Sequence, residues 1–365
     1  MTLDTFSTHQ YYNITTFKHF LSSPPVNLTP PPSLPHKPRW ARMDSGPASS
    51  PQQHHHKLRK DKLIVIMGAT GAGKSRLSID LATHFPCCFE IINSDKMQVY
   101  KGLDITTNKI PVPDRLGVPH HLLGELDPLN GELSPAEFRQ LAGRAVSSIT
   151  CRGKVPMLVG GSNSLIHALL VDRFEPGVNN VLENGAELVS SELRYDCCFL
   201  WVDVSLVVLA DYLSKRVDEM LESGMFEELA EFCKTEEEDD SAVRTGLRKA
   251  IGVPEFSQFF KKYPPGRSQC QSAGPHDPLR RGAAYNDAVR AIKDNTRQLA
   301  KKQIGKIFRL KGAGGWELRR LDATEAFRVV VTSDNDDVGR RWSEIWEEQV
   351  VEQSVKIVKR FLEQE

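Results

Sequence analysis

Neither sign of charge is in excess: Lys plus Arg and Asp plus Glu each total 47 over 365 residues. A chain-wide basic field for nucleic acid is therefore absent, and only a local patch could serve that purpose. No apolar run reaches the roughly 18 residues a membrane span needs, so a soluble protein with no membrane partner is expected. Cysteine is sparse: Cys87, Cys88, Cys151, Cys197, Cys198, Cys233 and Cys270. Their number is odd, two pairs are adjacent in sequence, and no C-x-x-C occurs. That argues against a disulfide framework and a zinc site, and the residues read as buried thiols of a reduced compartment. Internal repeats are also missing, as is any long heptad seam, so a monomer is expected. Acids are scarce over residues 1–57, where only Asp4 and Asp44 occur among many Ser, Thr and Pro. Such composition predicts disorder, and its Ser-rich, mildly basic character resembles an organellar transit peptide.

What the chain does have is concentrated at Lys62–Ser75, KLIVIMGATGAGKS. An apolar strand pattern feeds into Gly68, Ala69, Thr70, Gly71, Ala72, Gly73, Lys74 and Ser75. This matches the phosphate-loop pattern G-x-x-x-x-G-K-[ST], and a helical pattern comes after it. The glycines let backbone N–H groups turn toward an anion, and the helix N-terminus adds its positive dipole end. Lys74 supplies a mobile charge, and the Ser75 hydroxyl can ligate Mg²⁺. The loop alone suggests a nucleotide kinase or an NTPase. An NTPase needs a second carboxylate after an apolar strand. Asp95 and Asp203 both qualify, although Asp203 reads better as a strand-end residue capping the next helix.

Strand patterns at 63–67, 89–93, 155–159 and 198–203 alternate with helical patterns at 75–85, 134–150 and 164–171. The fold class expected is α/β, a P-loop NTPase-like doubly wound parallel sheet with a smaller helical insertion and C-terminal part. Ligands in such sheets bind at the carboxyl ends of the strands. Gly68–Ser75, Ser94–Asp95 and Gly160, Gly161 and Ser162 should therefore converge on one cleft. Four segments are expected: 1–60 as a disordered leader, 61–205 as the core, 206–310 as a helical substrate-covering region, and 311–365 as a tail. In the tail, a strand is expected near 327–331 and a last helix over 338–361. An acidic run at 236–240 reads as a solvated loop, 262–283 as a low-complexity insertion, and 284–310 as a basic amphipathic helix.

GATGAGKS, INSDKMQVYKGLDITTNK, VPHHLLGELDP, SPAEFR, PMLVGGSNSLIHALL, GLRKAIGVPEF and TRQLAKKQIGKI, in this order, resemble the isopentenyltransferase family. Within it the likeness is to the plant adenylate branch of cytokinin biosynthesis. The resemblance implies a prenyltransferase whose loop holds the diphosphate of dimethylallyl diphosphate, with Mg²⁺ on Ser75. It makes Asp95 the base that accepts a proton from the N6 amine of adenine. Lys74 would stabilise the leaving diphosphate. Thr107 and Arg248 match positions that contact the donor diphosphate, and Gly160, Gly161 and Ser162 match a second turn lining the cleft.

The family divides between free adenine nucleotides and an adenine in tRNA (adenine 37) as acceptor. This chain has no C2H2 module and no net positive charge, which favours ATP or ADP, with AMP less favoured and no nucleic-acid partner. A tRNA dimethylallyltransferase is the first alternative, and a small-molecule kinase is the second. The N-terminal composition and the plant resemblance imply a plastid location, with cytoplasmic or mitochondrial as alternatives.

Overall fold

The computed structural model describes residues 60–175, 192–236, 245–264, 278–332 and 337–364. The expected leader at 1–57 lies outside them. So do most of the acidic run and residues 265–277 of the expected insertion.

β1 (Lys62–Gly68), β2 (Phe89–Asn93), β3 (His120–His121), β4 (Val155–Gly160), β5 (Asp196–Asp203) and β6 (Leu318–Asp322) form one sheet in the order β3-β2-β4-β1-β5-β6. Every pairing is parallel. β1 lies between β4 and β5, with Ile64 against both Met157 and Cys198. Parallel strands covered on both faces need apolar side chains on both, which is why LIVIM has no polar alternation. Alternate residues go to opposite faces. Leu63, Val65 and Met67 meet α2 (Pro135–Cys151) and α3 (Asn163–Leu170) in one core. Ile64 and Ile66 meet α1 (Lys74–His84), α4 (Leu206–Glu222) and the C-terminal helices in the other.

α2 begins as its sequence dictates. Ser134 accepts from the Glu137 N–H at 3.2 Å, Glu137 accepts from the Ser134 N–H at 2.8 Å, and Pro135 occupies the first turn. Phe138, Ala142, Val146 and Ile149 then form its buried stripe. Helices α5 (Met225–Glu236), α6 (Val253–Lys262) and α7 (Pro278–Gly312) come next. Helix α7 starts at 278 rather than 284, so the end of the expected insertion is helical.

The tail departs from expectation. Residues 327–331 are helical, inside α8 (Thr324–Thr332), and the sixth strand is LRRLD at 318–322. Leu318 and Leu321 are buried while Arg319 and Arg320 are exposed, so this edge strand has neither a clean alternation nor an apolar run. Its register on β5 is Phe199 to Leu318 through Asp203 to Asp322. Helices α9 (Val338–Trp346) and α10 (Glu352–Glu363) are joined by a π-helical turn over Glu347–Val351 and pack into the α1 core. The cysteines also differ from expectation: Cys198 is buried, but Cys87, Cys88 and Cys151 are exposed. Cys87 and Cys88 lie in the turn between α1 and β2, and Cys151 is the last residue of α2.

Candidate active site

The loop after β1 turns through left-handed backbone at Gly71 (φ 78°) and Gly73 (φ 91°), the latter at the N-cap of α1. A Cβ at Gly71 would lie 2.6 Å from Leu213 of α4, so glycine is needed for contact as well as conformation. Thr70, Gly71, Gly73, Lys74 and Ser75 line a cleft of about 280 Å³, while Gly68, Ala69 and Ala72 are buried in the loop beneath it. The Lys74 ammonium donates to the Ala69 carbonyl at 2.7 Å.

β2 delivers Asp95 to the same cleft. Its two carboxylate oxygens do different things. Oδ1 accepts the N–H groups of Met97 at 2.9 Å and Gln98 at 3.4 Å, capping the turn after the strand. Oδ2 has no hydrogen-bond partner among the described residues. Asn93 braces this turn: its Oδ1 accepts the Asp95 N–H at 3.2 Å and its Nδ2 donates to the Leu122 carbonyl at 2.9 Å. Gly160, the last residue of β4, also lines the cleft, where a Cβ would lie 2.4 Å from Ser94. Gly161 and Ser162 do not line it; the Ser162 hydroxyl instead accepts the Lys96 N–H at 3.0 Å and so holds the Asp95 segment from behind.

The opposite wall comes from α4, where Tyr212, Arg216 and Glu219 share one face at i, i+4 and i+7. The sequence pattern marks this helix as amphipathic and assigns it no ligand. The only signal is an arginine on its apolar side. The Arg216 Nε is buried with no partner, an unpaired donor of the kind that an anionic ligand satisfies. Burial pulls Arg216 below its ordinary range, against the raising pull of Tyr212, Asp95 and Glu219. Burial, the largest effect, and Arg216 pull Lys74 down to about 8, against the opposing pull of Asp95. Burial pushes the Glu219 carboxyl up, opposed by Lys215 and Arg216. Two desolvated cations on facing walls make a grip for an anion of more than one charge.

Thr107 and Arg248 do not line the cleft. The Thr107 hydroxyl donates to the Leu103 carbonyl at 2.7 Å, and its own carbonyl accepts from Gln98, which does line it. Arg248 sits on the 3-10 turn Gly246–Lys249, whose Lys249 pairs with Glu132. Asp203 faces elsewhere: it forms an ion pair with Arg320 at 2.7 Å across β5 and β6, and does not cap α4. On the basic helix α7, Arg297 donates to the Ser214 hydroxyl at 2.6 Å and pairs with Asp294, while Lys301 and Lys302 are exposed.

No group of three or more metal-ligating side chains occurs among the described residues. The exposed Ser75 hydroxyl carries no hydrogen bond there. Such a donor set suits Mg²⁺, which keeps waters and takes one or two protein ligands plus substrate phosphates.

A parallel α/β sheet with a phosphate loop, a free carboxylate oxygen and a two-cation grip defines a phosphate-ester-handling enzyme of the P-loop class. A family profile described as IPP transferase matches residues 98–192 and 179–309. The chain is 69% identical over 303 residues to an adenylate isopentenyltransferase of Humulus lupulus, covering 82% of this chain and 90% of that one. It is 55% identical over 313 residues to adenylate isopentenyltransferase 1, chloroplastic, of Arabidopsis thaliana, covering 86% and 84%. Among solved structures, a eukaryotic dimethylallyltransferase acting on tRNA superposes with a TM-score of 0.62 at 25% identity, covering 83% of this chain and 79% of that one. The chain belongs to the isopentenyltransferase family and is a prenyltransferase.

Proposed function

We propose that this cleft transfers the dimethylallyl group of dimethylallyl diphosphate to the N6 amine of ATP or ADP, the first step of cytokinin biosynthesis. The observation that carries the reading is that one cleft is lined by Asp95, whose Oδ1 alone is taken up by backbone N–H groups, and by Lys74 and Arg216. An exocyclic adenine amine is a weak nucleophile, because its lone pair is delocalised into the ring. Asp95 orients that amine and takes its proton as the N6–C1 bond forms. The C1–O bond to the diphosphate breaks, and its electron pair departs with the leaving group. Lys74, Arg216 and the loop N–H groups meet the charge that gathers there. The Ser75 hydroxyl would hold Mg²⁺, which would supply further positive charge to the departing diphosphate.

Two observations support a free nucleotide over tRNA as acceptor. The relatives of high identity carry the adenylate name. Some of the basic side chains of α7 are already engaged by acidic partners at the surface: Lys293 pairs with Asp218 and Arg297 with Asp294. An extended unpaired basic surface is what phosphate tracking along RNA requires. The protein works as a monomer in the plastid, the location suggested by residues 1–57 and by the chloroplastic Arabidopsis relative.

The test incubates the full chain with Mg²⁺, dimethylallyl diphosphate and, separately, ATP, ADP, AMP or unmodified tRNA. The mass of prenylated ATP or ADP is expected. Prenylated tRNA alone would move the chain to the other branch, and ADP release without a prenyl donor would make it a kinase. Light scattering checks the monomer, and a fluorescent fusion of residues 1–57 checks plastid import.

A further inference from the structure

The C-terminal tail reaches the phosphate loop. Trp346, at the end of α9, is 1% exposed and lies against Gly73. A Cβ at Gly73 would sit 2.6 Å from the Trp346 Cη2 and 3.0 Å from its Cζ3. Gly73 is the left-handed residue that launches α1, immediately before Lys74 and Ser75. The indole N–H also donates to Asp80 Oδ2 at 2.8 Å, further along α1. Asp80 is held in turn by Arg76, at 2.8 and 3.0 Å, and the Arg76 guanidinium lies over Trp342, 5.6 Å from its centroid. Trp342 stacks on Trp346, with centroids 5.2 Å apart and planes 12° apart. The indole therefore touches the loop with its far edge and the helix with its N–H.

The same ring leads to the other wall. Trp346 meets Phe327 edge-on at 6.3 Å, and Phe327 meets Tyr212 edge-on at 4.7 Å. Tyr212 lies one turn before Arg216 on the cleft face of α4 and is among the groups that act on its charge. An aromatic bracket from the tail thus backs both elements that carry the cationic grip. The π-helical turn directly after Trp346 fits this arrangement. The extra residue in such a turn shifts the register of the helix beyond it, and these turns often sit at functional sites.

We propose that Trp346 is a positioning residue for the diphosphate site: it fixes the Gly73 turn and, through Phe327 and Tyr212, the spacing between Lys74 and Arg216. The inference rests on the reading above, in which the loop grips the donor diphosphate. Close-packed aromatic contacts transmit such a constraint because the interior does not deform continuously. Small displacements in a preorganised site cost much in binding and rate.

The test measures binding of inorganic diphosphate with Mg²⁺ by calorimetry, together with KM for dimethylallyl diphosphate and for the adenine nucleotide. Trp346→Phe keeps an aromatic ring but removes both the N–H donor and the atoms that reach Gly73. It is expected to weaken diphosphate binding about threefold or more and to raise the donor KM in parallel, leaving the nucleotide KM within about twofold. Trp346→Leu should weaken binding about tenfold. If Trp346→Leu does not fold, Trp346→Phe decides alone. Diphosphate binding at the native level in a folded Trp346→Phe protein, with only a lowered melting temperature, would reduce Trp346 to ordinary packing and overturn the proposal. The two readings fail separately. A native protein that makes no prenylated product but whose diphosphate binding responds to Trp346→Phe loses the functional reading and keeps this one. Product formation with unresponsive binding does the reverse.

Discussion

The two walls of the cleft are built in opposite ways. The Lys74 wall is local: consecutive loop residues, two left-handed glycines and a helix start place the ammonium. The Arg216 wall is tertiary. Nothing near Arg216 in sequence marks it, and its place depends on α4 packing against the loop and on aromatic support from a helix over 100 residues later. Both deliver a desolvated cation, and the difference between them is what a motif can and cannot show. A motif records backbone geometry that neighbouring residues impose. A residue recruited by packing leaves only its position on a helix face.

The largest effect should come from Asp95, which faces both walls. Asp95→Asn keeps an Oδ1 acceptor for the Met97 and Gln98 N–H groups, so the turn survives and the melting temperature should not move. The variant lacks the carboxylate proposed to take the N6 proton, and kcat should fall about 10²- to 10⁴-fold with donor KM little changed, measured by steady-state product formation. A drop of only a few-fold would mean that Asp95 merely caps the turn.

Next come the walls themselves. Lys74→Met and Arg216→Met should each lower kcat/KM for the donor about 10²- to 10³-fold, because each removes one cation from the developing diphosphate charge. Their stabilities should diverge from their activities. Arg216 keeps a buried Nε with no partner, so replacing it by a side chain of similar length removes a desolvation cost, and the melting temperature should hold or rise. Calorimetric melts set beside the kinetics check this. An active Arg216→Met enzyme would break the symmetry between the walls and leave the loop as the whole grip.

The contrast between these walls also measures how much the sequence made legible. Four of six strands, the capping box of α2 and the convergence of Lys74, Asp95 and Gly160 came from periodicity, capping chemistry and the rule that ligands bind at strand ends. β6 did not, because an edge strand carrying two exposed arginines needs no apolar pattern. β3 is two residues long, too short for any period to register. Within the site, Thr107 and Arg248 came from resemblance alone and stand outside the lining. Arg216, Tyr212 and Glu219 line it without a motif. Trp346 reads as one apolar position of a terminal helix, since contact with Gly73 has no sequence signature.

Lys74 also permits a pH test. Its folded value of about 8 lies below the ordinary 10.5. Between those two values the unfolded chain binds more protons than the folded one. Stability should therefore rise with pH across that window, and the charged lysine is a cost below it. Function should run the other way, because a neutral Lys74 attracts no anion. Affinity for inorganic diphosphate should fall as pH passes through about 8, while the melting temperature rises relative to Lys74→Met over the same range. If Lys74→Met shows the same pH dependence of binding, another group sets it.

The smallest effect is the sharpest on the question of class. A nucleotide hydrolase with this loop needs a second carboxylate at a strand end, and Asp203 stands where one is found. Its Oδ2 is held 2.7 Å from Arg320, and it does not line the cleft. Arg320 is half exposed, so the pair contributes at most about 1 kcal/mol. Asp203→Asn should lower the melting temperature slightly and leave kcat/KM for prenyl transfer within about twofold, since ion pairs of this exposure rarely matter more. Measuring Mg²⁺ dependence in the same variant completes the comparison. A large loss of activity with a raised Mg²⁺ requirement would place Asp203 in the metal site and restore the hydrolase arrangement. An unchanged requirement would support the proposal that Ser75 and the substrate phosphates hold the ion.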